Sequence, residues 1–103
     1  MSKIFSPMTQ VEEFQMLAHD DGRLSATTRY LENLILSALS IFSGDEHEKT
    51  RALKNLRDVI PLVVSRYLGN PKSKQHKFSV YYSWYIHEEF KKYRWKRIRR
   101  PSQ

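Results

Sequence analysis

The chain has 103 residues, 40% of them hydrophobic and 13% aromatic, and a formal net charge of +7. A chain of this length supports one hydrophobic core, so we expect a single helical domain over residues 1–103. The apolar content is enough to drive folding, so general disorder is not expected. The lack of cysteine excludes a disulfide framework and a thiolate zinc site, while the lack of a long apolar run excludes integral membrane association and a signal peptide, so we expect a reducing, cytoplasmic location.

The first predicted helix covers about residues 7–19. Thr9 and Glu12 have capping-box spacing, and apolar residues recur after them at helical intervals. Asp20-Asp21-Gly22 then signals a turn. A helix-turn-helix DNA-binding motif fits this region poorly, because Arg23 lies where such motifs bury an apolar residue.

The second predicted helix begins after Ser25, which is a plausible N-cap, and ends at Gly44. Its apolar residues recur at helical spacing and lie nearly all round the helix, so we expect it to be the most buried element. A homodimer formed through this apolar helix, near residues 28–43, is a further hypothesis.

Asp45 is the expected N-cap of the third helix, because two glutamates follow it in the first turn, where they favour the positive end of the helix dipole. An apolar seam with spacings of three and four residues then runs to Tyr67. Pro61 lies within this seam and predicts a kink, since proline removes an amide donor and crowds the preceding turn. Gly69-Asn70-Pro71 ends the helix.

The conformation of the next segment is ambiguous from sequence. In residues 78–86, every second position from Phe78 to Ile86 carries a large apolar or aromatic side chain, and the stretch is rich in strand-forming residues. Together these features are a strand pattern. Aromatic and aliphatic residues spaced by four and three positions favour a helix instead. A lone strand would have no partner here, so we prefer a basic, aromatic C-terminal helix over about residues 79–99, with residues 96–103 as a basic, frayed tail. The predicted fold is therefore all-α, a small bundle of about four helices.

Positive charge is concentrated in the last third of the chain. Residues 66–103 contain eleven Lys and Arg residues and two Glu residues, a net charge of +9, whereas residues 1–65 carry −2. Seven of the ten residues from 91 to 100 are cationic, and a run of this kind neutralises phosphates. The predicted contact residues are Lys72, Lys74, Lys77, Trp84, Lys91, Lys92, Tyr93, Arg94, Trp95, Lys96, Arg97, Arg99 and Arg100.

Aromatic residues accompany these cations. Trp84 and Trp95 are eleven positions apart, which places them on one face of a continuous helix, about three turns from each other. Exposed aromatic rings bordered by cations are typical of surfaces that stack on bases and of protein interfaces. Packing of the helix between core elements would account for the same rings without any binding function.

The sequence offers no set of residues for catalysis, a cofactor or a metal. Its histidines lack metal-ligand spacing, no phosphate-binding loop or nucleophile motif occurs, and the adjacent Glu88 and Glu89 would point about 100° apart on a helix. His19 beside Asp20 and Asp21 is the best metal candidate, but a solvated turn is the preferred explanation of these residues. We do not expect an enzyme.

Two functions fit these observations. The first is a small nucleic-acid-binding regulator that docks its basic aromatic C-terminal helix on DNA or RNA. The second is a protein-binding inhibitor or adaptor that docks the same helix in an acidic groove of a larger enzyme, such as one that processes nucleic acid. Small size, a basic tail, the lack of cysteine and the lack of a catalytic set are features typical of small regulators carried by bacteria, phages and plasmids.

Overall fold

The computed structural model describes residues 7–98, apart from the side chains of Ser73 and Lys74. This part of the chain forms five α-helices, one 3-10 helix and a two-stranded antiparallel sheet, so the predicted all-α class is confirmed. In chain order the elements are α1 (Gln10–His19), α2 (Ser25–Leu39), β1 (Phe42–Ser43), α3 (Glu46–Asp58), α4 (Ile60–Gly69), the 3-10 helix (Pro71–Gln75), α5 (Phe78–Phe90) and β2 (Lys96–Arg97).

The first helix starts as the sequence predicts. The amide of Glu12 donates to the Thr9 hydroxyl at 3.2 Å, and the amide of Thr9 donates to the Glu12 carboxylate at 2.8 Å, which completes the capping box. Asp45 likewise caps α3, because its carboxylate accepts the amide of His47 at 2.9 Å. Two short local hydrogen-bonding motifs thus determine where these helices begin.

The start of α2 differs from the prediction. Its N-cap position is occupied by Leu24, in a left-handed conformation with φ of 56°, and not by Ser25. The Asp20 carboxylate supplies the missing acceptors, since it receives the amides of Ala26 at 3.0 Å and Thr27 at 2.8 Å. A side chain from the preceding turn therefore caps the helix, so the N-cap position does not need a side chain that accepts hydrogen bonds and Leu24 can occupy it.

The kink expected at Pro61 is wrong, because a full break divides the predicted third helix into two. α3 ends at Asp58 and α4 begins at Ile60, so that Val59 alone separates them. Pro61 lies in the first turn of α4, where its missing amide breaks no helical hydrogen bond. A break just before the proline thus satisfies the backbone better than a bent continuous helix would.

The most central helix is α5, which packs against each of the other four α-helices. The helical interpretation of residues 78–86 is confirmed, because Phe78, Tyr82 and Ile86 lie on one buried face at intervals of one turn. The expectation that α2 would be the most buried element is wrong: Leu31 and Ile35 are fully buried, whereas Leu36 is 48% exposed. α2 therefore has one core face and one solvent face.

The predicted extension of the C-terminal helix to residue 99 is wrong. α5 ends at Phe90, and the chain turns and forms β2, which pairs with β1 so that Phe42 lies opposite Arg97 and Ser43 opposite Lys96. Ending the helix lets Trp95 fold back onto the core beside Phe42, whereas a continuous helix would carry it away along the axis. The packing of this large aromatic ring favours the turn over further helical hydrogen bonds in a strongly charged segment.

Candidate nucleic-acid interface

The basic segment, defined as residues 91–98, is attached to the fold through Trp95. The Trp95 ring is half-buried and contacts Phe42 and Phe90, with ring centroids 6.0 and 5.1 Å away. It stacks on Tyr93 with centroids 4.6 Å apart and an angle of 4° between the planes. Its indole N–H donates to the Glu48 carboxylate at 3.0 Å. Trp95 thus joins the basic segment to β1 and α3 by packing and by a charge-assisted hydrogen bond.

Gly44 makes this packing possible. A Cβ atom at this position would overlap Cδ1 of Trp95 and lie 2.7 Å from Cγ and Nε1 of the same ring. Further along, the amide of Ile98 donates to the carbonyl of Ile41 at 2.9 Å, which extends the pairing of β1 and β2 by one hydrogen bond. The backbone of the segment is therefore held both at Trp95 and at its described end.

A polar cluster around Glu89 holds the beginning of the basic segment. Its carboxylate accepts hydrogen bonds from Asn55 at 2.9 Å, Lys92 at 2.9 Å and Tyr93 at 3.1 Å. Burial alone would raise the pKa of Glu89, but these three hydrogen bonds and the charge of Lys92 outweigh burial and lower the pKa below its ordinary value of 4.5. The Glu89 carboxylate is therefore ionised in the fold at neutral pH.

The cations of the basic segment divide into paired and unpaired groups. Lys91 pairs with Glu88 at 3.0 Å, and Lys92 pairs with Glu89 at 2.9 Å. The other three described cations are exposed and form no ion pair with any residue between 7 and 98: Arg94, Lys96 and Arg97. The predicted contact residues Arg99 and Arg100 lie outside the described residues, as does the Lys74 side chain.

The structure separates the two tryptophans that a continuous helix would align. Trp95 has left the helix, so the predicted common face with Trp84 is wrong. Tyr93 and Trp95, both predicted as contact residues, are half-buried and stack on each other. Their rings contribute to holding the segment in place, whereas the exposed groups beside them are cationic.

Trp84 belongs to a second surface, which we call the aromatic patch and define by His76, Tyr81, Trp84, Tyr85 and Arg66. Half of the Trp84 side chain is exposed, at 51%. Its ring centroid lies 5.3 Å from that of His76 and 5.6 Å from that of Tyr81, and Tyr81 lies 5.8 Å from Tyr85. The patch is therefore a continuous set of rings at the surface between α4 and α5.

Arg66 brings a positive charge to this patch, because its guanidinium donates to the Tyr85 hydroxyl at 3.3 Å. Burial raises the pKa of Tyr85, but the hydrogen bonds with Arg66 and Tyr81 outweigh it and lower the pKa overall. The predicted contact residue Lys77 follows His76 in the chain, and Lys72 lies in the 3-10 helix before it; Lys72 is exposed and Lys77 half-buried. These lysines thus lie at the opposite end of α5 from the basic segment.

Glu13, which no sequence pattern singled out, is a buried glutamate with 1% of its surface exposed. It accepts the Tyr30 hydroxyl at 2.6 Å and the backbone amide of Ser79, in the first turn of α5, at 3.4 Å. α5 has no side-chain cap of its own, so Glu13 provides a negative charge at its N-terminus from another helix. Burial and the hydrogen bond to Glu13 raise the pKa of Tyr30 to about 12. No sequence motif signals such a long-range cap.

The turn proposed as the best metal candidate has a structural use. Asp20 accepts backbone amides of α2, and Asp21 accepts those of Arg23 and Ser25 at 2.9 and 3.0 Å. Between residues 7 and 98, no three His, Asp or Glu side chains are placed to hold a metal ion together. In the same part of the chain, no helix combines the length and apolar character required to cross a membrane.

These features define a small helical protein with a fixed basic segment at one end of α5 and an aromatic patch along and before that helix. No family model, curated protein or solved structure matches the chain. Its function is accordingly inferred from the charges and contacts of the two surfaces.

Proposed function

We propose that this protein binds nucleic acid by contacting the phosphate backbone with the basic segment. The observation that carries the proposal is the set of exposed cations, Arg94, Lys96 and Arg97, that have no carboxylate partner between residues 7 and 98. Phosphates attract such groups strongly, because each contact releases counterions condensed on the nucleic acid. The +9 charge of residues 66–103 adds a long-range attraction to any polyanion.

The geometry favours phosphate contact over base reading by this segment. Tyr93 and Trp95 would have to leave each other and the core in order to stack on bases, which would forfeit their packing and the indole hydrogen bond to Glu48. The cations need no such rearrangement, since they already lie in solvent. Phosphate contacts position a protein without reading sequence, so we expect weak dependence on base sequence.

The attachment of the segment also supports binding. A flexible tail loses conformational freedom when it binds, and this loss offsets part of the electrostatic attraction. Here the backbone is already fixed by the pairing of β2 with β1 and by the packing of Trp95. Only the long side chains of the cations remain to be ordered.

Two triple variants of equal charge test this proposal. R94Q/K96Q/R97Q neutralises the unpaired cations of the basic segment, and R23Q/R29Q/K54Q removes the same number of charges from exposed positions on α2, the turn before it and α3. Fluorescence anisotropy with a labelled duplex at near-physiological salt should show a loss of affinity on the order of tenfold to a hundredfold in the first variant.

The second variant controls for net charge, so its affinity should fall only slightly. Equal losses in the two variants would show that the overall charge matters and its location does not, which would contradict the proposal. Absence of binding by the wild-type protein to duplex, single-stranded DNA and RNA hairpins at low salt would also contradict it. A protein partner with an acidic groove would then be the function to pursue.

A further inference from the structure

We infer that the aromatic patch receives unpaired bases, so that the protein prefers single-stranded nucleic acid or a single-stranded region next to a duplex. This inference rests on the proposed function, because it assigns a second contact to the nucleic acid held by the basic segment. It concerns Trp84 above all, because this large ring is 51% exposed.

The core does not require Trp84. α5 buries Phe78, Tyr82 and Ile86 on its inner face, whereas Trp84 is 51% exposed and is not one of the buried residues of the core. The ring centroids of its neighbours Tyr81 and His76 lie 5.6 and 5.3 Å from that of Trp84, with ring planes at 59° and 69° to its own, so neither neighbour stacks on it in parallel. Trp84 is therefore supported in a defined position while a large part of its surface faces solvent, as a stacking platform requires.

The charges around the patch favour a polyanion over an apolar partner. Arg66 is held at the rim by Tyr85, and Lys72 and Lys77 lie in the segment that leads into α5. Glu88, which lies one turn beyond Trp84, is already paired with Lys91 at 3.0 Å. An aromatic surface with cations beside it suits a nucleotide, because the ring can stack on the base while the cations attract its phosphate.

The position of the patch connects it to the proposed phosphate contact. Trp84 lies in the middle of α5, and the basic segment starts where α5 ends. At a rise of about 1.5 Å per residue, the seven residues from Trp84 to Lys91 span only about 10 Å along the helix axis. A few nucleotides of single strand span this axial distance, and the helix fixes the spacing between Trp84 and the start of the basic segment.

Substitutions of Trp84 test the inference with two probes, oligothymidylate and a duplex of the same length. W84A and W84L should both lower the affinity for oligothymidylate, on the order of fivefold to a hundredfold, because neither side chain has an aromatic face. Affinity for the duplex should change by less than about twofold, since paired bases are not available for stacking. L36A is a matched control, because Leu36 is 48% exposed on α2, and it should bind both probes as the wild type does.

A fluorescence titration gives a second measurement that does not depend on a loss of affinity. The chain has two tryptophans, so Trp84 is the only one in W95F, whose phenylalanine keeps an aromatic ring at the anchoring position. Oligothymidylate should quench the emission of W95F, and the duplex should quench it much less.

The outcomes separate the two proposals. Wild-type affinity of W84A or W84L for oligothymidylate, with duplex binding intact, would overturn the stacking inference and leave the proposed function standing. Absence of wild-type binding to both probes at low salt would overturn both, and the aromatic patch would then be a contact for a protein. Unquenched emission of W95F saturated with oligothymidylate would also overturn the stacking inference.

Discussion

Replacement of Gly44 by alanine should destabilise the protein and loosen the basic segment. The backbone of Gly44 is not in the left-handed region, so alanine introduces no backbone strain there. Its Cβ atom would overlap Cδ1 of Trp95 and lie 2.7 Å from Cγ and Nε1. Because the ring is confined by Phe42, Phe90 and Tyr93, it must move outward to relieve the overlap.

The expected cost follows from what the ring loses. Overpacking of a well-packed site costs about 1–3 kcal/mol, and the hydrogen bond from the Trp95 indole to Glu48, 3.0 Å long, would weaken as the ring moves. We therefore expect G44A to lower the free energy of unfolding by about 2 kcal/mol. In a domain of about this size, that corresponds to a fall in Tm of roughly 8–16 °C.

Thermal and urea unfolding followed by circular dichroism would measure this cost, and G69A provides the control. A Cβ atom at Gly69 meets no atom within 4 Å, so the same replacement at the end of α4 should be neutral or slightly stabilising. In a W95A background the Gly44 replacement should cost less than about 0.5 kcal/mol, because the obstructing ring is absent. A Tm for G44A within about 2 °C of the wild type would refute this reasoning.

Two further predictions concern buried carboxylates. E13A should lower the free energy of unfolding by about 3 kcal/mol, because it leaves the Tyr30 hydroxyl and the Ser79 amide without their acceptor. Urea unfolding would measure this loss, and a loss below about 0.5 kcal/mol would contradict the long-range cap. The pKa of Glu89 is lower in the fold than its ordinary value of 4.5, so its contribution to stability is present above about pH 4.5 and is lost as the pH falls through the folded pKa. The urea midpoint of E89Q should therefore fall less steeply than that of the wild type below pH 4.5, and parallel curves would contradict a pH-dependent contribution of the Glu89 carboxylate to stability.

Local sequence signals predicted much of the helical architecture. The capping box at Thr9 and Glu12 and the cap at Asp45 depend on residues close together in the chain, and each is present. Pro61 was identified as an irregular point of the predicted third helix, although the structure has a break there and not the predicted kink. Helical spacing also identified the buried face of α5 correctly, against a competing strand pattern. Such features are predictable because their partners lie within a few residues.

The features that sequence reasoning missed depend on distant partners. The end of α5 at Phe90 and the strand that follows it are determined by contacts of Trp95 with Phe42 and Glu48, more than forty positions earlier in the chain. Glu13 caps a helix that begins 65 residues later. The charge of the C-terminal third was visible in the sequence, but its division between a fixed basic segment and a separate aromatic patch depended on these long-range contacts.

The most direct test of the phosphate-binding proposal is the salt dependence of duplex binding by the wild type and by R94Q/K96Q/R97Q. On duplex DNA, the slope of log K against log salt changes by about −0.9 for each phosphate contact. The proposal predicts a steep negative slope for the wild type and a slope about 2.7 shallower for the variant, if each of the three cations contacts one phosphate. The variant R23Q/R29Q/K54Q should keep the wild-type slope. Equal slopes in all three proteins, or a wild-type slope near zero, would contradict the proposal.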